Sequence, residues 1–579
     1  MHTSRNNPLV WSDSVPRFQA LTLSVVMVVS SICQAAEFRR LPMSEYRDRM
    51  EAGWIGQMVG VGWGGPTEFR WQGVIIPAED MPVWRPELVN QFDQDDLYVE
   101  MTFLRTLELH GFEVSIRQAG LDFANSGYRL WHANEAGRSN LRRGIAPPDS
   151  GHPRFNRHAD DIDYQIEADF SGLIAPGLPD LVIELGEKFG RLMNYGDGLY
   201  GGQFVGGMYA EAFFESDPLK LVEAGLRCIP EDSQFAECIR DTVRWCRENP
   251  DDWKQTWERV NQKYHLDPEY RRFSCSGPHG KFNIDAKLNA AYIVMGLLYG
   301  KGDLDETIVV STRCGQDSDC NPSNAAGILF TTIGRSNLPD RFVSALDPTG
   351  VFSHTEYNFP RLIEVCEQLV RTAVVRAGGR IERNAQGEEI LVIPVQTPRP
   401  GPLEQCWEPG PIANSRFTEA EMAQITVVTR SRALQADVDR ILPGWELSDC
   451  GADMDPGPRG EYRGRSNVFM THPWDRHTGA VLSRTVTVPP NQKTLLRLVV
   501  ANDSRGDWTL VVKTGDRELF KRPIDETLTQ GGWATLTVDL SEFAGHTIPV
   551  ELVNQADGWS YEAGYWAEIA ISSQPSAKR

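Results

Sequence analysis

Apolar residues recur at three- and four-residue intervals from about Leu41 to Ala377, with Gly and Pro breaking the pattern between segments, which predicts a succession of helices. The stretch 97–104, Leu-Tyr-Val-Glu-Met-Thr-Phe-Leu, opens one of them. The stretch 288–295 belongs to a second, and 360–375 reads as a third. A two-residue alternation then takes over at 379–395 and predicts a hairpin turning at Asn384-Ala385-Gln386-Gly387. Thr397-Pro398-Arg399-Pro400-Gly401-Pro402 can continue neither helix nor strand and reads as the start of a linker. Past about Ile425 the pattern is one of short alternating strands, at 494–500, 508–513, 534–540, 548–553 and 565–569, separated by Asn, Asp and Gly turns. The expected fold class is therefore multidomain. An all-α domain over 37–396 is followed by a Pro-rich linker, 397–424, and a β-sandwich of jelly-roll type over 425–579.

A length of 579 residues agrees with more than one folding unit. Composition adds that apolar residues at 41% and charged residues at 24% are ordinary for a globular chain. A net charge of −21, with no basic run to offset it, excludes nucleic acid as a partner. At the N-terminus, Arg5 and Arg17 precede an apolar run at 20–32 and then Cys33-Gln34-Ala35-Ala36. This is the pattern of a cleaved signal peptide, 1–36, and predicts a secreted or periplasmic protein with no membrane span in the mature chain. Of the 10 cysteines, nine follow this segment, so at least one stays unpaired, and no CxxC suggests a zinc or redox motif.

Two acidic clusters are the candidates for chemistry. In Gly315-Gln316-Asp317-Ser318-Asp319-Cys320-Asn321, two carboxylates turn toward one point only if the backbone is irregular, which Gly315 permits. In Asp93-Gln94-Asp95-Asp96, acids open an apolar helix. Each cluster has two readings: helix capping and dipole compensation, or oxygen ligation of a hard divalent cation that offsets the like-charge repulsion. Gly60-Val61-Gly62-Trp63-Gly64-Gly65-Pro66-Thr67-Glu68 lacks the lysine of a phosphate loop, so its glycines read as close helix packing. Glu68 at its end is a candidate acid or base.

These three segments, in this order, resemble the ADP-ribosylglycohydrolase family, the group containing dinitrogenase-reductase-activating glycohydrolase, over roughly residues 41–375. The resemblance implies an orthogonal all-α fold with one or two Mg²⁺ or Mn²⁺ ions. Its metal positions fall on Gln94, Asp95, Asp96, Asp317, Asp319 and Cys320, and its catalytic carboxylates on Glu68, Asp96 and Asp317. The chain departs from the family pattern at Val61, Gln94 and Cys320, and the soft Cys320 sulfur suits Mg²⁺ poorly. The segments 131–134, 147–152 and 160–170 are similar to an exported bacterial branch. With Asn321 and the loop near Asp197, they supply the expected cleft residues His132, His152, His158, Gln165, Glu167, Asp169, Asp197, Tyr200 and Asn321. The C-terminal part resembles galactose-binding-like jelly rolls, in which Trp533, Trp559, Tyr561, Tyr565 and Trp566 either stack on sugar or pack within the sandwich.

The resulting expectation is a metal-dependent glycosidase outside the cytoplasm, acting on an ADP-ribosyl, nucleoside-like or carbohydrate glycoside. The rival is a non-catalytic glycan-binding or scaffold protein on a retired enzyme fold.

Overall fold

The computed structural model describes residues 37–427, 430–515 and 517–575; the expected signal segment 1–36 lies outside them. The chain divides into two units between Met422 and Ala423.

Helix Met43–Gly64 is the axis of the first unit. Apolar residues surround it, and Trp54, Ile55, Met58, Val59 and Val61 are fully buried, as in a helix enclosed by others. Its glycines let helix Cys320–Ile333 lie directly against it. A Cβ on Gly60 would stand 2.2 Å from the Pro322 carbonyl oxygen, and one on Gly64 would stand 2.1 Å from that of Ser318. Close packing of the two backbones is thus the reason for the glycine run.

That contact sets the loop between helices Leu304–Arg313 and Cys320–Ile333 beside the segment that follows the first helix. The two are then tied backbone to backbone. Phe69 N donates to Gln316 O (3.1 Å), Gln316 N to Trp71 O (2.9 Å) and Ile76 N to Arg313 O (2.9 Å). Gly315 takes φ +82, the irregular backbone its position calls for.

The anticipated helices are present as Asp95–His110, Ala286–Gly300 and Phe359–Arg376. The hairpin is Arg380–Arg383 against Glu389–Pro394, turning at 384–387, and Phe38–Pro42 adds a third strand to it. Residues 397–422 differ from a free linker, because they run along the first unit as a strap. Arg399 pairs with Asp180 (2.7 Å), Glu404 with Arg191 (2.9 Å) and Glu421 with Arg117, while the amides of Ala413 and Ser415 donate to Asp149 (both 2.8 Å). Proline and glycine stop regular structure there, but side-chain and amide hydrogen bonds hold the irregular path.

The second unit is a sandwich of two five-stranded antiparallel sheets. One has the order Arg517–Ile524, Trp508–Thr514, Thr547–Gln555, Ala480–Thr487, Glu446–Ser448. The other has the order Ala534–Asp539, Gln492–Asn502, Gly564–Pro575, Arg465–Thr471, Gly457–Tyr462. Leu482, Val512 and Leu552 from the first meet Leu498, Phe469 and Trp566 from the second in one core. Of the aromatic candidates, Trp566 is part of this core, Tyr565 stacks on Tyr462 (3.7 Å between ring centres), and Trp533 donates to Arg463 O. Trp559 and Tyr561 remain exposed.

The helix contact makes a direct prediction. Gly60→Ala forces a methyl group into the Pro322 carbonyl, so chemical denaturation should show a loss on the order of 1–3 kcal/mol. An unchanged midpoint would mean that the two helices do not meet this closely.

Candidate functional site

The loop 314–319 and the start of helix Asp95–His110 arrive on the same side of helix Met43–Gly64, and their acids converge. Ligand oxygens of Glu68, Asp317 and Asp319 lie within 4.8 Å of one another, and so do ligand atoms of Asp96, Asp319 and Cys320. Asp319 is common to both groups. Gln94 joins the two segments directly, its Nε2 donating to Asp319 Oδ2 at 3.3 Å while its Oε1 accepts from Asp95 N at 2.9 Å. The Cys320 thiol donates to Asp96 Oδ2 (3.3 Å) and contacts Asp319 Oδ1 (3.7 Å).

Capping does not explain these acids. Gln94, not an aspartate, caps helix Asp95–His110, and Asp319 precedes helix Cys320–Ile333 without a side-chain capping bond. Asp96, Asp317 and Asp319 are almost completely buried, and Asp96 Oδ1 and Asp317 Oδ1 have no hydrogen-bond partner. Buried unpaired carboxylate oxygens are costly, and several together repel. Among the described residues, no lysine or arginine pairs with Glu68, Asp95, Asp96, Asp317 or Asp319.

The acids beside them are treated differently. Lys287, itself buried, lies 3.8 Å from Asp160, 3.7 Å from Asp197 and 3.6 Å from Asp285, so the protein supplies the countercharge there. In the Asp96–Asp317–Asp319 group that place is open to a cation, and clustered oxygen donors with orphaned lone pairs fit a hard divalent ion.

Electrostatics agree. Burial first, then the charges of Asp319 and Asp95, push Glu68 up to about 8, and burial followed by Asp319 pushes Asp95 up to about 6. The carboxyls of Asp96 and Asp317 are raised well above the usual range by burial and by Asp319. A further tier of buried acids, Glu100, Glu167 and Asp169, lies behind, each raised mainly by burial.

The cluster forms the floor of a cleft of about 470 Å³. Glu68, Gln94, Asp95, Asp317 and Cys320 face it, with walls of Phe69, Trp131, His132, Asn134, Phe282 and Ile284. Phe282 lies between Phe69 (5.2 Å, edge to face) and His132 (5.5 Å, stacked).

The family model for ADP-ribosylglycohydrolase matches residues 42–377, more than half of the chain. The chain belongs to the ADP-ribosylglycohydrolase family. It is a family of metal-dependent hydrolases of glycosidic bonds. Among solved structures, an ADP-ribosylglycohydrolase-related protein complex is 14% identical with a TM-score of 0.38, covering 57% of this chain and 99% of that one. The Stig cyclase Fisc from Fischerella sp. TAU is 17% identical with a TM-score of 0.18, over 23% of this chain and 86% of its own. A structure described as "CBM4 structure and function" is 12% identical with a TM-score of 0.16, over 22% of this chain and 86% of that one. No curated protein matches the sequence.

Several residues expected in the cleft are elsewhere. His152 bonds Gly410 O (3.0 Å) and Tyr200 bonds Pro402 O and Glu404 N, so both secure the strap. Asp197 accepts from Phe235 N and neighbours Lys287. Gln165, Glu167 and Asp169 are wholly buried, with Glu167 held by Asn134 and Asp169 by Asn324. Asn321 donates to Asn289 within the core. His158 stands behind His132, bonded to Asp161. Of that group only His132 reaches the cleft. Phe69 and Phe282, by contrast, carry no motif; only their positions beside Glu68 and before a buried helix hint at a wall.

The cluster predicts a linked effect of pH and metal on stability. A folded-state pKa raised above the unfolded value gives stability that is present at low pH and lost as pH rises through the folded value. The windows run from 3.8 to about 6 for Asp95 and from 4.5 to about 8 for Glu68. Saturating Mg²⁺ or Mn²⁺ should therefore raise Tm over the chelated protein by several degrees, ~2.7 kcal/mol at a hundredfold excess over Kd. The increment should be larger at about pH 8 than at about pH 5, where protons compete for the same oxygens. A Tm indifferent to chelator at both pH values would remove the metal reading.

Proposed function

We propose that the first unit hydrolyses the glycosidic bond of an uncharged glycoside, nucleoside-like or carbohydrate, with one or two Mg²⁺ or Mn²⁺ ions. The observation that carries this is the convergence of Glu68 and Asp317, which line an aromatic-walled cleft, with the buried Asp319 beneath them. Asp96, Asp317 and Asp319 would hold the ions, with Asp95 and Gln94 at their edge. When bound, such ions polarise sugar hydroxyls and acidify water.

The remaining work belongs to the chain itself. Of the acids that line the cleft Glu68 is the most exposed, and we assign to it the movement of a proton to or from the reacting oxygen. Phe69, Phe282 and Trp131 offer flat apolar faces against which a sugar or base can lie. Their bulk also keeps bulk water from the scissile bond.

Substrate charge follows from the lining, which holds Glu68, Asp95, Asp163 and Asp317 but no lysine or arginine. A pyrophosphate would meet this negative surface without a protein cation to receive it, so an ADP-ribosyl group is the less favoured substrate. Export rests on the N-terminal pattern at 1–36 alone and is part of the same proposal.

Purified protein should release product from nucleosides or neutral aryl glycosides only with Mg²⁺ or Mn²⁺ present, and faster than from ADP-ribosyl-arginine or ADP-ribosyl-serine. Glu68→Gln should lower kcat by about 10²–10⁴-fold. Absence of any metal-stimulated, Asp317-dependent release across that panel would favour the glycan-binding alternative.

A further inference from the structure

Beside the cleft lies a second set of metal-ligating side chains, which the hydrolytic reading does not use. His158 Nδ1 is 2.7 Å and His132 Nδ1 3.7 Å from Asp161 Oδ2. Cys275 joins them from another part of the chain, and one ligand atom from each of the four residues lies within 4.8 Å of every other. Asp161 is completely buried, and its Oδ1 has no hydrogen-bond partner.

The donor set differs in kind from that of the acidic centre. Two imidazoles, a thiol and a carboxylate suit a borderline-soft ion, where the acidic centre, carboxylates with Cys320 at their edge, suits a hard one. Ligands at Zn²⁺ bond lengths of about 2.0–2.3 Å stand roughly 3.3–3.8 Å apart on a tetrahedron, so only small side-chain movements are needed. Burial lowers both histidines to about 4, which keeps them in the neutral form that binds metal. The surroundings are already ordered. His132 stacks on Phe282, and Arg271 fastens the loop that carries Cys275 through Gly280 O (2.6 Å), Ser276 Oγ (2.6 Å) and Phe282 O (3.0 Å).

We propose that His132, His158, Asp161 and Cys275 form a tetrahedral Zn²⁺ site, separate from the acidic centre, that clamps the Cys275 loop to the cleft wall. Binding replaces the thiol proton of Cys275, which leaves to solvent, with a sulfur–zinc bond. Four protein ligands leave no position for water, so the site is structural, and what it holds in place is the Phe282–His132 wall. Zn²⁺ binding at these four residues does not depend on glycoside hydrolysis.

The full chain, stripped with a chelator and titrated with Co²⁺, should take up a single equivalent with the absorption of a tetrahedral thiolate complex. That absorption should survive Cys320→Ser and Asp319→Asn and be lost in Cys275→Ser. Unfolding of Cys275→Ser would also abolish the absorption, so the unaltered protein provides a second arm: saturating Zn²⁺ should suppress alkylation of Cys275, mapped by peptide mass. Thiolate–cobalt absorption persisting in Cys275→Ser, or alkylation indifferent to Zn²⁺, would overturn the proposal and leave the four residues as a hydrogen-bonded cluster.

Discussion

Carboxylates more than two hundred residues apart in sequence are pressed together without a protein cation between them, and the architecture of the first unit follows from holding them there. The approach of helix Cys320–Ile333 to helix Met43–Gly64 makes this possible, because Gly60 and Gly64 let the carbonyls of Pro322 and Ser318 fill the space of absent side chains. With the helices so placed, Asp317 and Asp319 have little freedom to move apart. Asp95 and Asp96 are brought to them by Gln94, which caps its own helix and reaches across to Asp319. The repulsion is therefore built into the packing, and relief has to come from a bound ion or from protons.

The contrast with Lys287 gives this its force. Three buried aspartates a short way off have a lysine among them. The same fold thus neutralises one acidic group internally and leaves the other, which faces the cleft, to be neutralised from outside. A buried carboxylate cluster without a countercharge is costly, and its place beside an open cleft makes it a candidate for chemistry. Glu68, the shared Asp319 and the aromatic wall lie together at this one cleft.

Much of this was legible in the sequence, and the limits have physical causes. Helices with a long apolar period, the hairpin at Asn384–Gly387 and the strands of the sandwich follow from local patterning alone. The order of the glycine-rich helix, the first acid pair and the second acid pair points in the sequence to the family, and the acids it singles out are ones that the fold brings together. Less legible was the strap 397–422, since Pro-rich sequence reads as a linker whether it is free or fastened by Arg399, Glu404 and Glu421. The roles of the middle segment were hidden for another reason. His152, Tyr200 and Asp197 are polar residues that resemble cleft ligands in sequence, but each is consumed by a partner far along the chain. Phe282 and Cys275 are single residues whose meaning arises only from what they meet in space.

The most direct test of the central claim is a crystal of the full chain soaked in Mn²⁺ and measured for anomalous scattering. The account predicts one or two peaks within coordination distance of Asp96, Asp317 and Asp319, absent from Asp319→Asn crystals. A well-ordered cleft that shows no such peak at saturating Mn²⁺ would contradict it.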